Sequence, residues 1–183
     1  MNRNTLVDLT TFGLLLAIGV LGRWAQPTWN FTPLVAVTAL GGFYFRSWLA
    51  AVLLPISVLA ISDVLLPAHD NWPVLVSVHV MMIVPLLLGR LAREKQGWRR
   101  GACWALCGVV PATAFFIVTN FAVWAFRSTY ETSLAGLATC YAAGVPFYRA
   151  MLAGDVFYLT VLLACLAVAT AATRSVTGKS RLA

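Results

Sequence analysis

Acidic side chains are scarce in this sequence: six Asp and Glu among 183 residues, against thirteen Lys and Arg, with charged residues making up 10% of the chain. A soluble domain usually carries about 25% charged residues, so the surface of a water-soluble fold of this size would go unsolvated. The same shortage excludes disorder, which requires low hydrophobicity and many charges. Four cysteines are too few for a disulfide-built secreted domain. No GxxxxGK[ST] pattern is present, so any ATP-driven step would need another polypeptide. What fills the chain instead is 61% hydrophobic residues, for a mean hydropathy of +0.84, the composition of a membrane protein.

A spanning helix needs about 17–25 apolar residues, and candidate runs occur at 6–21, 32–45, 48–66, 73–91, 101–126 and 148–172. The second is short for a full span, which fits a tilted helix, one partly buried by its neighbours, or one continuous with the preceding segment NFTP. The runs are continuously apolar, without the in-out alternation of a barrel wall. The first could pose as a signal peptide after Arg3 but is expected to be retained: Asp8 interrupts its start, and Arg23-Trp24 stands where a small-residue cleavage site belongs. No repeat, low-complexity tract or linker marks a second domain, so residues 1–183 read as one integral membrane domain.

Positive residues favour the cytoplasmic side. With six spans and both termini inside, the inner segments hold Arg3, Arg46, Arg90, Arg93, Lys95, Arg99, Arg100, Arg174, Lys179 and Arg181, and the outer ones only Arg23, Arg127 and Arg149. The basic runs are thereby accounted for as topology signals and contacts to anionic lipid, and nucleic acid is not expected as a partner.

Polar residues within apolar spans are costly and usually face a cavity or a partner. Asp63, His79, Asn120 and Asp155 come from four different spans. At roughly 1.5 Å per residue all four fall about 5–10 Å below the outer surface. Such a layer is either a network of interhelical hydrogen bonds or the lining of a pocket that opens outward. Two outer connections are placed to roof a pocket. RWAQPTWNFTP brings Trp24, Trp29, Asn30 and Phe31 among two prolines, and RSTYETSLAGLATCYAAGVPFYR combines Tyr130, Tyr141, Phe147 and Tyr148 with a short, weakly amphipathic stretch. Pro55, Pro85 and Pro111 interrupt three spans and mark kinks or flexing points. Cys103, Cys107 and Cys165 read as small packing residues, whereas Cys140, in the last outer connection beside Tyr141, is placed to face a ligand.

The runs NFTPLVAVTALGGFYF, PISVLAISDVLLPAH, TNFAVW and GLATCYAAGVPFYRAMLAGDVFY resemble a family of small bacterial six-helix membrane proteins related to the S components of energy-coupling-factor vitamin transporters. The nearest functionally defined relatives are the solitary cobalamin transporters called BtuM. The likeness extends from about Pro27 to Tyr158. It implies a substrate-binding membrane subunit with its site toward the outer face. In the cobalamin group a cysteine thiolate can ligate the corrin cobalt and promote loss of its cyano group. Positions 74–80 hold no cysteine here, and His79 is the nearest residue able to bind cobalt, with Cys140 in reserve. S components that dock on a shared energising module are associated with AxxxA patterns in the first helix. The nearest match is Gly13-xxx-Ala17, followed by Gly19 and Gly22.

The expectation is therefore an all-α, six-transmembrane-helix bundle, S-component-like, with both termini cytoplasmic, in a bacterial inner membrane. It would bind a vitamin-like small molecule, with cobalamin or another corrinoid the leading candidate, and would hold no intrinsic cofactor. It would act with an energising ATPase module or alone. The binding residues would be Asp63, His79, Asn120, Asp155, Asn30, Phe31 and Tyr141. Two alternatives stand beside this reading: an intramembrane enzyme using Asp63, His79 and Asp155 as an acid-base or metal constellation, though no HExxH motif is present, and a structural subunit.

Overall fold

A continuously apolar run has few polar side chains to pair with its backbone N–H and C=O groups, and a helix pairs them within the run itself. The computed structural model describes residues 3–66 and 71–179, with side chains described for 5–66 and 71–171. Among these there are no strands, and the chain forms eight helical segments: α1 Arg3–Trp24, α2 Leu34–Tyr44, α3 Trp48–Ser62, α4 Trp72–Met81, α5 Ile83–Glu94, α6 Gly97–Cys107, α7 Val110–Phe126 and α8 Leu134–Lys179. Segments α4 and α5 are two halves of one rod, as are α6 and α7, so the bundle has six rods. Four of them, Thr5–Trp24, Trp72–Glu94, Gly97–Phe126 and Leu134–Ala171, are long and apolar enough to cross a membrane. The expected connection 67–72 falls largely outside the described residues, as do the side chains of Arg3, Arg174, Lys179 and Arg181.

Proline explains both breaks. Pro85 has no N–H for the Met81 carbonyl and Pro111 none for that of Cys107, so the ladder lapses at Met82 and at Gly108-Val109. Pro55 and Pro146, by contrast, lie inside unbroken helices. The α4 end of its rod is fixed by Asn71, whose side chain accepts from Val74 N at 3.2 Å and donates to Phe126 O at 2.8 Å, joining the start of α4 to the end of α7.

The short second run proves to be the most enclosed helix. Val35 to Gly42 are all buried in α2, covered by the neighbouring helices. Around it a core forms from Leu15, Val37, Leu40, Leu54, Val58 and Leu86. Close backbone approach makes this possible. Gly42 lies against the Leu86 carbonyl and Gly89 against the Ala39 carbonyl, so α2 and α5 meet through two glycines, one from each helix.

Most of the expected last outer connection is helix. α8 runs 46 residues from Leu134 to Lys179, about 69 Å at roughly 1.5 Å per residue, more than twice the about 30 Å hydrocarbon thickness. The segment LAGLATCYAAG is rich in Ala and Leu, the best helix formers, and it packs on α7 rather than looping. Cys140, Tyr141, Phe147 and Arg149 are thus helical residues, and the connection shrinks to residues 127–133.

The basic cluster sits at one end of α2. Arg90, 7% exposed, donates to Arg46 O at 2.8 Å and lies 3.7 Å over the Trp48 ring. Arg93 donates to Phe45 O at 2.9 Å, and Arg100 to Lys95 O at 2.8 Å. These cations therefore cap the free carbonyls past the ends of α2 and α5, a role beyond the topology signal read from their number.

Candidate functional site

At the opposite end of α2 the α1–α2 connection folds over the bundle. Its turn is held by Gln26 Oε1 accepting from Asn30 N at 3.0 Å and by Phe31 N donating to Thr28 O at 3.1 Å. Asn30 adopts φ +67°, a left-handed conformation that Asn tolerates better than most side chains. The chain then lies directly on α8: a Cβ added at Gly154 would come 3.0 Å from Phe31 Cα. The Phe31 ring stands 5.7 Å from Phe157 and 5.5 Å from Tyr158. Gly154 thus lets the connection lie close against α8 one residue from Asp155.

Beneath this cover is a cavity of about 180 Å³. Gln26, Trp29, Asn30 and Thr32 form its roof; Leu34, Val35, Leu59, Val78, Met82, Phe115 and Met151 form apolar walls; Arg23, Asp63 and Asp155 supply the charge. Met82 and Pro111, at the two helix breaks, also line it.

The three charged groups are not equivalent. Arg23 Nη1 donates to Asp63 Oδ1 at 2.7 Å and to Ser62 Oγ, and Trp24 Nε1 donates to Ser62 O at 3.0 Å. This pair is partly open, with side chains 13% and 25% exposed. Asp155 is 2% exposed, and its Oδ2 has no hydrogen-bond partner. A buried polar atom without a partner is rare in native structures and calls for a cause.

Three of the expected binding residues, Asp63, Asp155 and Asn30, meet around this cavity. Asn120 does not. It lines a second cavity of about 150 Å³ with Thr119, Gly144, Phe147 and Tyr148, which shares Asn30, Phe115 and Met151 with the first. Its Nδ2 donates to Phe116 O at 2.8 Å. His79 belongs to a third, apolar recess formed with Pro55 and Ile56 of α3. Its Nδ1–H donates to Leu75 O, one turn back, at 2.9 Å. His79 thus lines a different recess from Asp63 and Asp155, although both recesses include Leu59 and Met82. No group of three or more His, Cys, Asp or Glu fit to hold a metal occurs among the described residues. The Phe31 ring packs on Phe157 and Tyr158, and the Tyr141 hydroxyl donates to Ile117 O at 2.8 Å. Cys140 is buried, its Sγ donating to Asn120 O at 3.3 Å, and so does not face a connection.

Sequence reasoning overlooked Arg23 and Gln26 as site residues. Arg23 was accounted for as an outer-loop charge. The available signal was its match with Asp63: opposite charges at the same end of adjacent helices α1 and α3.

The chain belongs to DUF6580, a family of unknown function, whose family model matches residues 3–177. No curated protein and no solved structure matches it.

Proposed function

We propose that this protein is a multi-spanning membrane protein that binds a small solute in the Asp155 cavity from the outer side, as the binding subunit of an uptake system. The observation that carries the reading is the buried, unpartnered Asp155 carboxyl in a cavity covered by a single connection. A purely structural network would pair that oxygen; a ligand site leaves it for the ligand. The likeness to S components supports the same arrangement, with a solute held at the outer end of a helical bundle. The basic end of α2 and the cavity end lie on opposite sides of the bundle. Positive-inside placement of Arg46, Arg90, Arg93 and Arg100 in a bacterial inner membrane then turns the cavity outward. An ATPase module or independent action both fit this role.

The solute is smaller than a corrinoid. Pockets for drug-sized ligands occupy about 300–1,000 Å³, and the cavity holds about 180 Å³. His79, the expected cobalt ligand, opens on a different recess.

Orientation is tested with an impermeant thiol reagent on single cysteines in a Cys165→Ser background, since the other three native cysteines are buried. Leu134→Cys should label in intact cells and Gln96→Cys only after permeabilisation. The reverse would turn the cavity to the cytoplasm and end the uptake reading. Ligand binding is tested by native mass spectrometry of protein purified in mild detergent. The wild type should retain a small bound mass that Asp155→Asn releases without a fall in thermal stability. A variant that loses stability but keeps the bound mass would assign Asp155 to the fold.

A further inference from the structure

Charge and shape in the cavity narrow the class of solute, an inference that rests on the binding role proposed above. Arg23 and Asp63 neutralise each other at 2.7 Å, and Ser62 holds the guanidinium from the other side. The arginine is therefore already committed. Asp155 has no such partner at Oδ2, and the cavity walls of Leu34, Met82, Phe115 and Met151 donate no side-chain hydrogen bond, the polar side chains Gln26, Asn30 and Thr32 belonging to the roof. The cavity thus offers one uncompensated acidic group set among apolar walls. A carboxylate accepts from N–H donors, and most strongly from cationic ones, with which it forms short charge-assisted bonds.

Size sets the rest of the molecule. An apolar cavity of roughly 150 Å³ takes a benzene ring, and this one measures about 180 Å³. A ring-sized body against the apolar walls and one donor head at Asp155 would fill it. We propose that the cavity recognises a ring-sized molecule bearing a cationic N–H donor group, an amidinium or ammonium, with Asp155 as its counter-charge. The Arg23–Asp63 pair, partly open to solvent, forms the mouth through which the solute passes. An anionic solute is the reverse case: it would have to break Arg23 from Asp63 and would face Asp155 unneutralised.

Three probes of one size separate these cases: benzamidine, benzamide and benzoate, titrated calorimetrically into the full chain in mild detergent. Benzamidine should bind at least about tenfold more tightly than benzamide, the gain of a charge-assisted over a neutral bond, and benzoate should not bind. In Asp155→Asn the preference for benzamidine should disappear. The comparison within the wild type stands by itself should that variant fail to fold. Benzamide or benzoate binding as tightly as benzamidine, and weakened by Trp29→Ala in the roof, would overturn the cationic class and leave the cavity as a binding site. Failure of all three probes to bind would overturn both the class and the binding role. Benzamidine binding unchanged in a folded Asp155→Asn would remove Asp155 as its partner and with it the proposal.

Discussion

Replacing Gly89 by Ala is expected to destabilise the folded protein by about 3 kcal/mol, and Gly42→Ala by a similar amount, at the upper end of the usual overpacking cost. A Cβ at residue 89 would meet the Ala39 carbonyl, and one at 42 the Leu86 carbonyl. Both obstacles are backbone, so no side-chain tip can swing aside, and α2 and α5 would have to separate. Separation also opens the core in which Val37, Leu40 and Leu86 pack. Gly13→Ala is the control. Nothing lies within 4 Å of a Cβ there, and exchanging Gly for Ala in a helix gains up to about 1 kcal/mol. Denaturation of purified protein in detergent micelles should show Gly42 and Gly89 variants shifted down and the Gly13 variant unchanged or shifted up. Equal behaviour of all three would mean that α2 and α5 do not meet through these glycines.

That interface was written in the sequence only as apolar runs. Run length and charge placement sufficed for six rods, because hydrophobic continuity is a local property. They placed the end of the last connection wrongly, since GLATCYAAGVPFYR carries Gly, Pro and aromatics that suit a loop, while its Ala content and packing on α7 make it helix. The polar layer shows a second limit. Counting residues along a helix gives height, not the direction a side chain faces. His79 turns toward Pro55 and Ile56. For Asp155 the height itself is wrong when counted from a span starting at 148: α8 begins at Leu134, and Asn120 lies against Gly144, eleven residues or roughly 16 Å along α8 from Asp155. Facing direction depends on which neighbours a helix acquires, and that information is tertiary. Arg23 went unrecognised for the same reason: its partner Asp63 lies 40 residues away along the chain.

Asp155 separates a group kept for the fold from one kept for a ligand, and the expected result of Asp155→Leu is a more stable protein that no longer binds. Oδ2 is buried without a partner, and an unsatisfied buried polar atom costs about 1–3 kcal/mol. Leucine would remove that cost and add apolar contact with Met151 and Phe115 along the same wall, with the cavity of about 180 Å³ taking up the extra volume. The denaturation midpoint should therefore rise by the equivalent of about 1–3 kcal/mol, while benzamidine binding is lost. Arg23→Leu should do the opposite to stability, because it leaves Asp63 beside Ser62 without its cation. A fall in stability for Asp155→Leu comparable to that for Arg23→Leu would show that Asp155 is tied into the fold as firmly as the ion pair. A rise would identify a residue retained against the interest of stability, the trade that binding sites commonly make. The two variants change charge in opposite directions around one cavity, so a general effect of net charge cannot produce the opposite shifts in stability together with loss of binding in Asp155→Leu.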